Sequence, residues 1–242
     1  MMLKKLGLGL LAGMMAFNAL ADEASLKKAI EATYPNLKVQ KITKTTYAGL
    51  YEVFLGEEII YTDEKFSFLI AEGRLIDPKT RKNVTGERME ELTKVDFNSL
   101  PLNQAVKVVK GNGSRKLVVF SDPDCPYCKQ LEQQGLIGLN DVTIYTFLYP
   151  LQELHPDAAN KAKAIWCAPD RTRAWQDWML NGQLAKPAAA GCNTSVEESM
   201  ELGKKLGVRG TPLLIFSDGR RVSGALPAQE IERRLGATSA RK

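Results

Sequence analysis

Cys125-Pro126-Tyr127-Cys128 places two thiols one helical turn apart. The motif follows the apolar run Leu117-Val118-Val119-Phe120 and opens a polar, helix-like stretch over 129–134. The thiolate, not the thiol, attacks a disulfide. At a helix start, free backbone N–H groups and the positive end of the dipole stabilise that anion. A second sulfur one turn on can resolve the mixed disulfide made by the first. Reversible disulfide chemistry is therefore the expected work of Cys125 and Cys128, with Cys125 as an exposed nucleophile. Pro126 suits the first helical turn, where its missing N–H leaves nothing unpaired. Tyr127 is expected on the rim of a substrate surface. Asp122 and Asp124 oppose the thiolate, so the helix start must outweigh them.

Two other uses of CxxC compete. One is a purely local crosslink. The other is structural zinc, which takes about four ligands, usually from a second CxxC or a histidine pair. Cys167 and Cys192 lie far apart in sequence and His155 is the sole histidine. Neither a metal nor a cofactor is expected. Leu154-His155-Pro156 looks like a loop, and His155 is expected to be a surface residue rather than a general base.

Gly210-Thr211-Pro212 stands before a second apolar run, Leu213-Leu214-Ile215-Phe216. A proline there cannot donate to a sheet ladder. It either starts a strand or forms a cis bond beside the thiols. In the second case Thr211 and Pro212 bind substrate, the Thr211 backbone pairing with an extended chain next to Cys125.

The elements that must hold these residues fall into three stretches. Residues 22–34 read as a helix with Leu26, Ala29, Ile30 and Thr33 on one face. Strands are expected from Val39 to Ile76, at 47–55, 58–62, 66–71 and 75–76. A region of about 60 residues buries a marginal core, and exposed strand edges can pair between chains. Residues 22–80 are therefore expected to hold a homodimer. Residues 81–101 read as a linker helix, with a sparse apolar face at Met89, Leu92 and Val95 that suits solvent.

From residue 102 a second domain begins. Strands are expected at 106–109, 117–120 and 142–148, and helices at 158–167 and 172–180. Thr194-Ser195-Val196-Glu197-Glu198 offers overlapping capping boxes for a further helix. A hairpin over 213–223 and a helix over 228–235 close the chain. Trp166, Trp175 and Trp178, at helical spacing, read as core.

The chain carries 33 basic and 28 acidic residues. The basic residues are scattered, which gives no concentrated face for nucleic acid. Lys4 and Lys5, an apolar run over 6–20 and Ala19-Leu20-Ala21 form a signal peptide over 1–21, with Asp22 as the mature start. The run is short for a membrane span, and Asp22-Glu23 follows at once. Export gives cysteines a compartment in which disulfides persist. Four cysteines permit three pairings. Cys125 with Cys128 leaves Cys167 with Cys192, expected as a structural bridge.

CxxC at a helix start, followed about 85 residues later by Thr-Pro before a hairpin, resembles a thioredoxin fold with a helical insertion over roughly 155–205. More widely, the chain resembles the DsbC/DsbG family of bacterial periplasmic thiol:disulfide interchange proteins. The matching segments are Phe120-Ser121-Asp122 to Cys128, Lys163-Ala164-Ile165-Trp166-Cys167-Ala168, and Leu206-Gly207-Val208-Arg209-Gly210-Thr211-Pro212.

The resemblance implies an α+β protein with a small N-terminal dimerisation domain at 22–80. A linker helix at 81–101 and a thioredoxin-like catalytic domain at 102–242 follow. It further implies a V-shaped homodimer in the periplasm, with an apolar cleft for misfolded exported proteins, kept reduced by a DsbD-like membrane reductase. Pro126-Tyr127 resembles the DsbG branch, whereas the surroundings of Cys167 and Cys192 resemble DsbC. Three functions stay open: a disulfide isomerase and reductase, a DsbG-like reductase protecting single cysteines (or a donor oxidase), and a chaperone-like binding protein.

Overall fold

A computed structural model describes residues 14–239, with side chains over 23–236. Lys4, Lys5 and the first part of the apolar run, on which the signal-peptide reading rests, lie outside the described residues. Two compact units divide between Thr93 and Lys94.

The first unit runs α1 (Met14–Thr33), β1 (Lys41–Lys44), β2 (Tyr51–Phe54), β3 (Ile59–Thr62), β4 (Leu69–Ile70) and α2 (Val84–Leu92). The strands form an antiparallel meander in sequence order. Ile42 faces Val53 and Val53 faces Ile60, so one sheet face is continuous. Leu26 and Ile30 of α1 pack there with Val39, Ile42, Tyr51, Val53 and Ile60.

The other face corrects a sequence expectation. β2 and β3 are buried along their whole length, and alternate side chains of a strand point to opposite faces. The second face therefore needs a cover. Met89 and Leu92 of α2 supply it, packing with Leu50 and Leu75 against Phe54, Ile59 and Tyr61. The helix expected to be solvated instead lays a partly buried apolar face on the sheet. Arg88 Nε also donates to the buried Glu52 carboxylate at 2.9 Å, tying α2 to β2. Asn83 caps the helix by accepting from Gly86 N–H. Residues 75–76, expected as a strand, make only a single bridge from Ile76 to Asn83.

The second unit opens with two 3-10 turns, Phe97–Ser99 and Leu102–Gln104. β5 (Val106–Lys110), β6 (Arg115–Ser121) and α3 (Pro126–Gln130) follow, then a π-helical turn over Leu131–Leu136. β7 (Val142–Leu148), α4 (Ala158–Trp166), α5 (Arg171–Asn181), α6 (Val196–Lys205), β8 (Leu213–Phe216), β9 (Arg221–Ser223) and α7 (Ala228–Ser239) complete it. The sheet order is β5-β7-β6-β8-β9. Central β6 is parallel to β7 and antiparallel to β8, with Phe120 opposite both Phe147 and Leu213.

Alternation along β6 divides the core. Leu117 and Val119 pack with Leu131, Leu136, Ile231 and Leu235 on one face. Val118 and Phe120 pack with Phe97, Leu100, Phe147 and Tyr149 on the other. Phe97 and Leu100 thus belong to this unit's core, which is why α2 stops at Leu92 instead of running on. A third cluster belongs to the insertion: Ile165, Trp166, Trp175, Met179 and Val196 surround Cys125 and Cys128. Within the insertion, Asp170 caps α5 by accepting from Arg173 N–H, and Gly182 ends it at φ 70°. The expected capping box at α6 does not form. Ser195, the N-cap, makes no side-chain bond, and the Thr194 hydroxyl bonds the Glu197 carboxylate instead.

Candidate thiol-exchange site

Strand β6 is buried from Leu117 to its end at Ser121, so it delivers a rigid end to the site. A short turn, Asp122-Pro123-Asp124, carries the chain to Cys125. Asp122 C=O accepts from Cys125 N–H at 3.2 Å. Cys125 is then the N-cap of α3, with Pro126 in the first turn as its missing N–H allows. Cys128 and Lys129 N–H both donate to the Cys125 carbonyl.

The two sulfurs sit in opposite settings. Cys128 is fully buried at 0 % exposure. Burial, and its role as hydrogen-bond donor to Cys125, push its pKa far up. Cys125 is pulled down from an ordinary 9.0 to about 5. The chief cause is the hydrogen bond from Cys128; the Cys128 and Tyr127 N–H groups add to it, against burial. Cys125 was expected to be exposed, yet only 5 % of its surface is open. The reason is the approach of the β8 loop: Cys125 Sγ lies 3.4 Å from the Thr211 carbonyl. The Thr211–Pro212 peptide is cis, as its position before the strand suggested. Tyr127, by contrast, is 64 % exposed. The structure therefore brings Cys125, Pro126, Tyr127, Cys128, Thr211 and Pro212 to one place.

Cys167 and Cys192 are bonded to each other, with Cα atoms 6.2 Å apart. Their disulfide ties the end of α4 to the loop ahead of α6. Cys125 and Cys128 are free thiols. Among the described residues no group of three or more His, Cys, Asp or Glu is placed to hold a metal ion.

Four site residues escaped the sequence reading as partners. Asp122 is fully buried; its N–H donates to Cys128 Sγ at 3.5 Å, and its carboxylate accepts from Asp124 and Leu151 N–H at 2.7 and 2.6 Å. His155, read as a surface loop residue, stands with Nδ1 3.0 Å from Asp122 Oδ2. Lys161 Nζ donates to both oxygens of Asp124. Trp178, read as core, is half-buried and donates through Nε1 to the Pro123 carbonyl at 2.6 Å. One signal was legible: two acids just before a thiolate need cationic partners. Which of the distant cations would serve was not.

The comparisons with known proteins agree with this geometry. Residues 102–239 match the thioredoxin-like domain family, and residues 17–86 match the disulfide bond isomerase protein N-terminal domain. The probable thiol:disulfide interchange protein DsbC of Bordetella parapertussis is 47% identical over 211 residues, covering 87% of this chain and 73% of that protein. The thiol:disulfide interchange protein DsbC of Escherichia coli is 29% identical over 227 residues, covering 92% of this chain and 91% of that one. A solved disulfide interchange protein from Neisseria gonorrhoeae is 45% identical, with a TM-score of 0.52. It covers 57% of this chain and 97% of that structure.

A thioredoxin-like sheet carrying an activated CxxC defines a thiol:disulfide oxidoreductase of the α+β class. More narrowly, with both of its domains matched, the chain belongs to the DsbC family of thiol:disulfide interchange proteins.

Proposed function

We propose that the chain rearranges wrong disulfides in exported proteins of the periplasm, with Cys125 as nucleophile and Cys128 as resolving thiol. The observation that carries this reading is the split between the two thiols. Near neutral pH Cys125, held at about 5, is an anion, while Cys128 keeps its proton.

The Cys125 thiolate attacks one sulfur of a substrate disulfide. A Cys125–substrate S–S bond forms as the substrate bond breaks, and the departing sulfur leaves with the electron pair and picks up a proton. That freed thiol can attack elsewhere in the substrate and finally return Cys125 as a thiolate, with no net redox change. Where the substrate stalls, Cys128 loses its proton and attacks Cys125 Sγ. The substrate leaves with both sulfurs reduced, and Cys125–Cys128 becomes the disulfide. A dithiol must then reduce it, and a DsbD-like membrane reductase is the proposed donor. Thr211 and Pro212, facing Cys125, and exposed Tyr127 are the proposed substrate contacts. The Cys167–Cys192 bridge is assigned a structural role, since it joins the end of α4 to the loop ahead of α6 and offers no thiol nucleophile.

Residues 22–80 are the proposed dimer contact, supported by the two-residue edge strand β4, whose Ile70 is exposed as is Phe68 just ahead of it. The signal-like segment 1–21 supports export. No helix among the described residues is long and apolar enough to cross a membrane. Pro126-Tyr127 favours a second reading, a DsbG-like reductase that acts on single oxidised cysteines with the same thiols.

Refolding of a protein with scrambled disulfides tests the first reading, beside light scattering of the full chain. Recovery of native protein by a dimeric chain is the expected result, with the recovery lost in Cys125→Ser. A chain that reduces sulfenylated protein but never rescues the scrambled one supports the second reading. A monomer at micromolar concentration removes the dimer.

A further inference from the structure

The turn Asp122-Pro123-Asp124 is gripped at each residue by the helical insertion and the loop that leads into it. His155 holds Asp122, Trp178 holds the Pro123 carbonyl and Lys161 holds Asp124. Lys129 and Lys161 also stand over the Trp178 ring, at 4.5 and 5.1 Å from its centre. Only one of these grips can change charge near neutral pH, the imidazole. It bears on a residue with two faces. The buried Asp122 carboxylate meets His155, while the Asp122 N–H meets Cys128 Sγ.

We infer that His155 is a positioning residue for thiol exchange. Acting through Asp122, it balances the negative charge of the turn ahead of the Cys125 thiolate and fixes the N–H that Asp122 directs at Cys128. The inference rests on the thiol-exchange reading above and adds a group to it.

The surrounding charges make the arrangement self-consistent. Asp122 follows β6, Asp124 lies in the same turn, Cys125 and Cys128 open α3, and Asp157 and Lys161 sit at the start of α4. Asp122, chiefly by its hydrogen bond, then Cys125 and Asp124 by their charge, raise the pKa of His155, against its partial burial. By reciprocity a charged His155 favours the Cys125 thiolate. As pH climbs through the raised pKa, that support is withdrawn. Asp124 keeps its Lys161 partner throughout.

The unmodified full chain offers the first test. His155 is the only histidine in the sequence, so its ring signals in an NMR titration need no assignment. Its titration is expected at higher pH in the reduced chain than in the oxidised chain, because only the reduced chain carries the Cys125 anion. Identical curves in both redox states overturn the inference.

The second test replaces the charge. In reduced His155→Gln, thiolate absorbance should show the Cys125 midpoint raised by about one unit. The equilibrium with glutathione should move about tenfold toward the disulfide form, the same change expressed as a ratio. His155→Lys should restore the parent midpoint. In an Asp122→Asn background, His155→Gln should lose most of its effect. A purely structural role predicts a lower melting temperature with the midpoint unmoved, and that result sinks the inference. A parent chain with no low-pH thiol at all sinks the thiol-exchange reading instead, so the two failures are distinguishable.

Discussion

The molecule holds two cysteine pairs, and three of the four cysteines lie in or against one apolar cluster. Cys125 and Cys128 are part of it, and Cys167 packs on its edge. One pair spans a single helical turn and stays unbonded. The other is 25 residues apart and joined. Burial is common to the active thiols, yet it drives Cys128 up while Cys125 comes down. The difference lies in donors. Cys125 receives a thiol S–H and helix-start N–H groups; Cys128 gives its proton away and gains little in return. A buried thiol is made reactive by what points at it, whereas the sulfurs of the bridge, already bonded to each other, have no thiolate to offer.

The sharpest way to break this contrast is to remove one sulfur at a time. Cys125→Ser should abolish exchange with a small disulfide, a loss of about a thousandfold or more, as expected when a nucleophile is deleted. Cys128→Ser should still attack and should accumulate the mixed disulfide, visible by mass spectrometry. Equal activity in the two variants would erase the assigned roles.

A smaller effect is expected at the other pair. Replacing Cys167 and Cys192 together by alanine should cost about 3.5 kcal/mol of stability, the loop-closure value for a bridge over 25 residues. Denaturant melts measure it. The pH midpoint for alkylating Cys125 should stay near 5 in that variant. A moved midpoint would mean that the bridge tunes the active thiol, and the two pairs would no longer be separable.

The gentlest probe is pH acting on the reduced chain. A folded Cys125 pKa of about 5 against an ordinary 9.0 means the unfolded state binds more protons between those values. Reduced-chain stability should therefore rise from pH 5 to pH 9 through this group, and be lost as pH falls back through 5. Cys128 acts in reverse: its raised pKa keeps the folded thiol protonated, so its share is present below about pH 9 and declines above it. The oxidised chain, with neither thiol titrating, should lack both slopes. Matching profiles for the two redox forms would contradict the split.

Much of the second unit was legible because its signals are local. The apolar runs of β6, β7 and β8, the Pro126 start of α3 and the Gly182 stop of α5 each follow from a few neighbouring residues. The thiols and Thr211-Pro212 were legible as a pair of motifs. The first unit was harder. A strand buried on both faces shows no alternation, so the need for α2 as a cover was hidden in Tyr51–Phe54 and Ile59–Thr62. His155 was missed for a related reason: its partner Asp122 stands 33 positions away, and nothing local to Leu154-His155-Pro156 announces it. The connection was misread as well. Val95 N–H donates to the Gly219 carbonyl and Phe97 is buried in the second unit. A catalytic fragment should begin at Lys94, since one begun at Leu100 would lose both.

The order of strands in the second sheet has a consequence in time. β6 lies between β7 and β8, and β8 begins at Leu213, with Thr211 just ahead of it. A chain made from its N-terminus presents Cys125 long before the segment that closes over it exists. During that interval β6 has an open edge, and the Thr211 carbonyl is not yet beside the Cys125 sulfur. The wall that faces the nucleophile is supplied only when nearly all of the chain has been made.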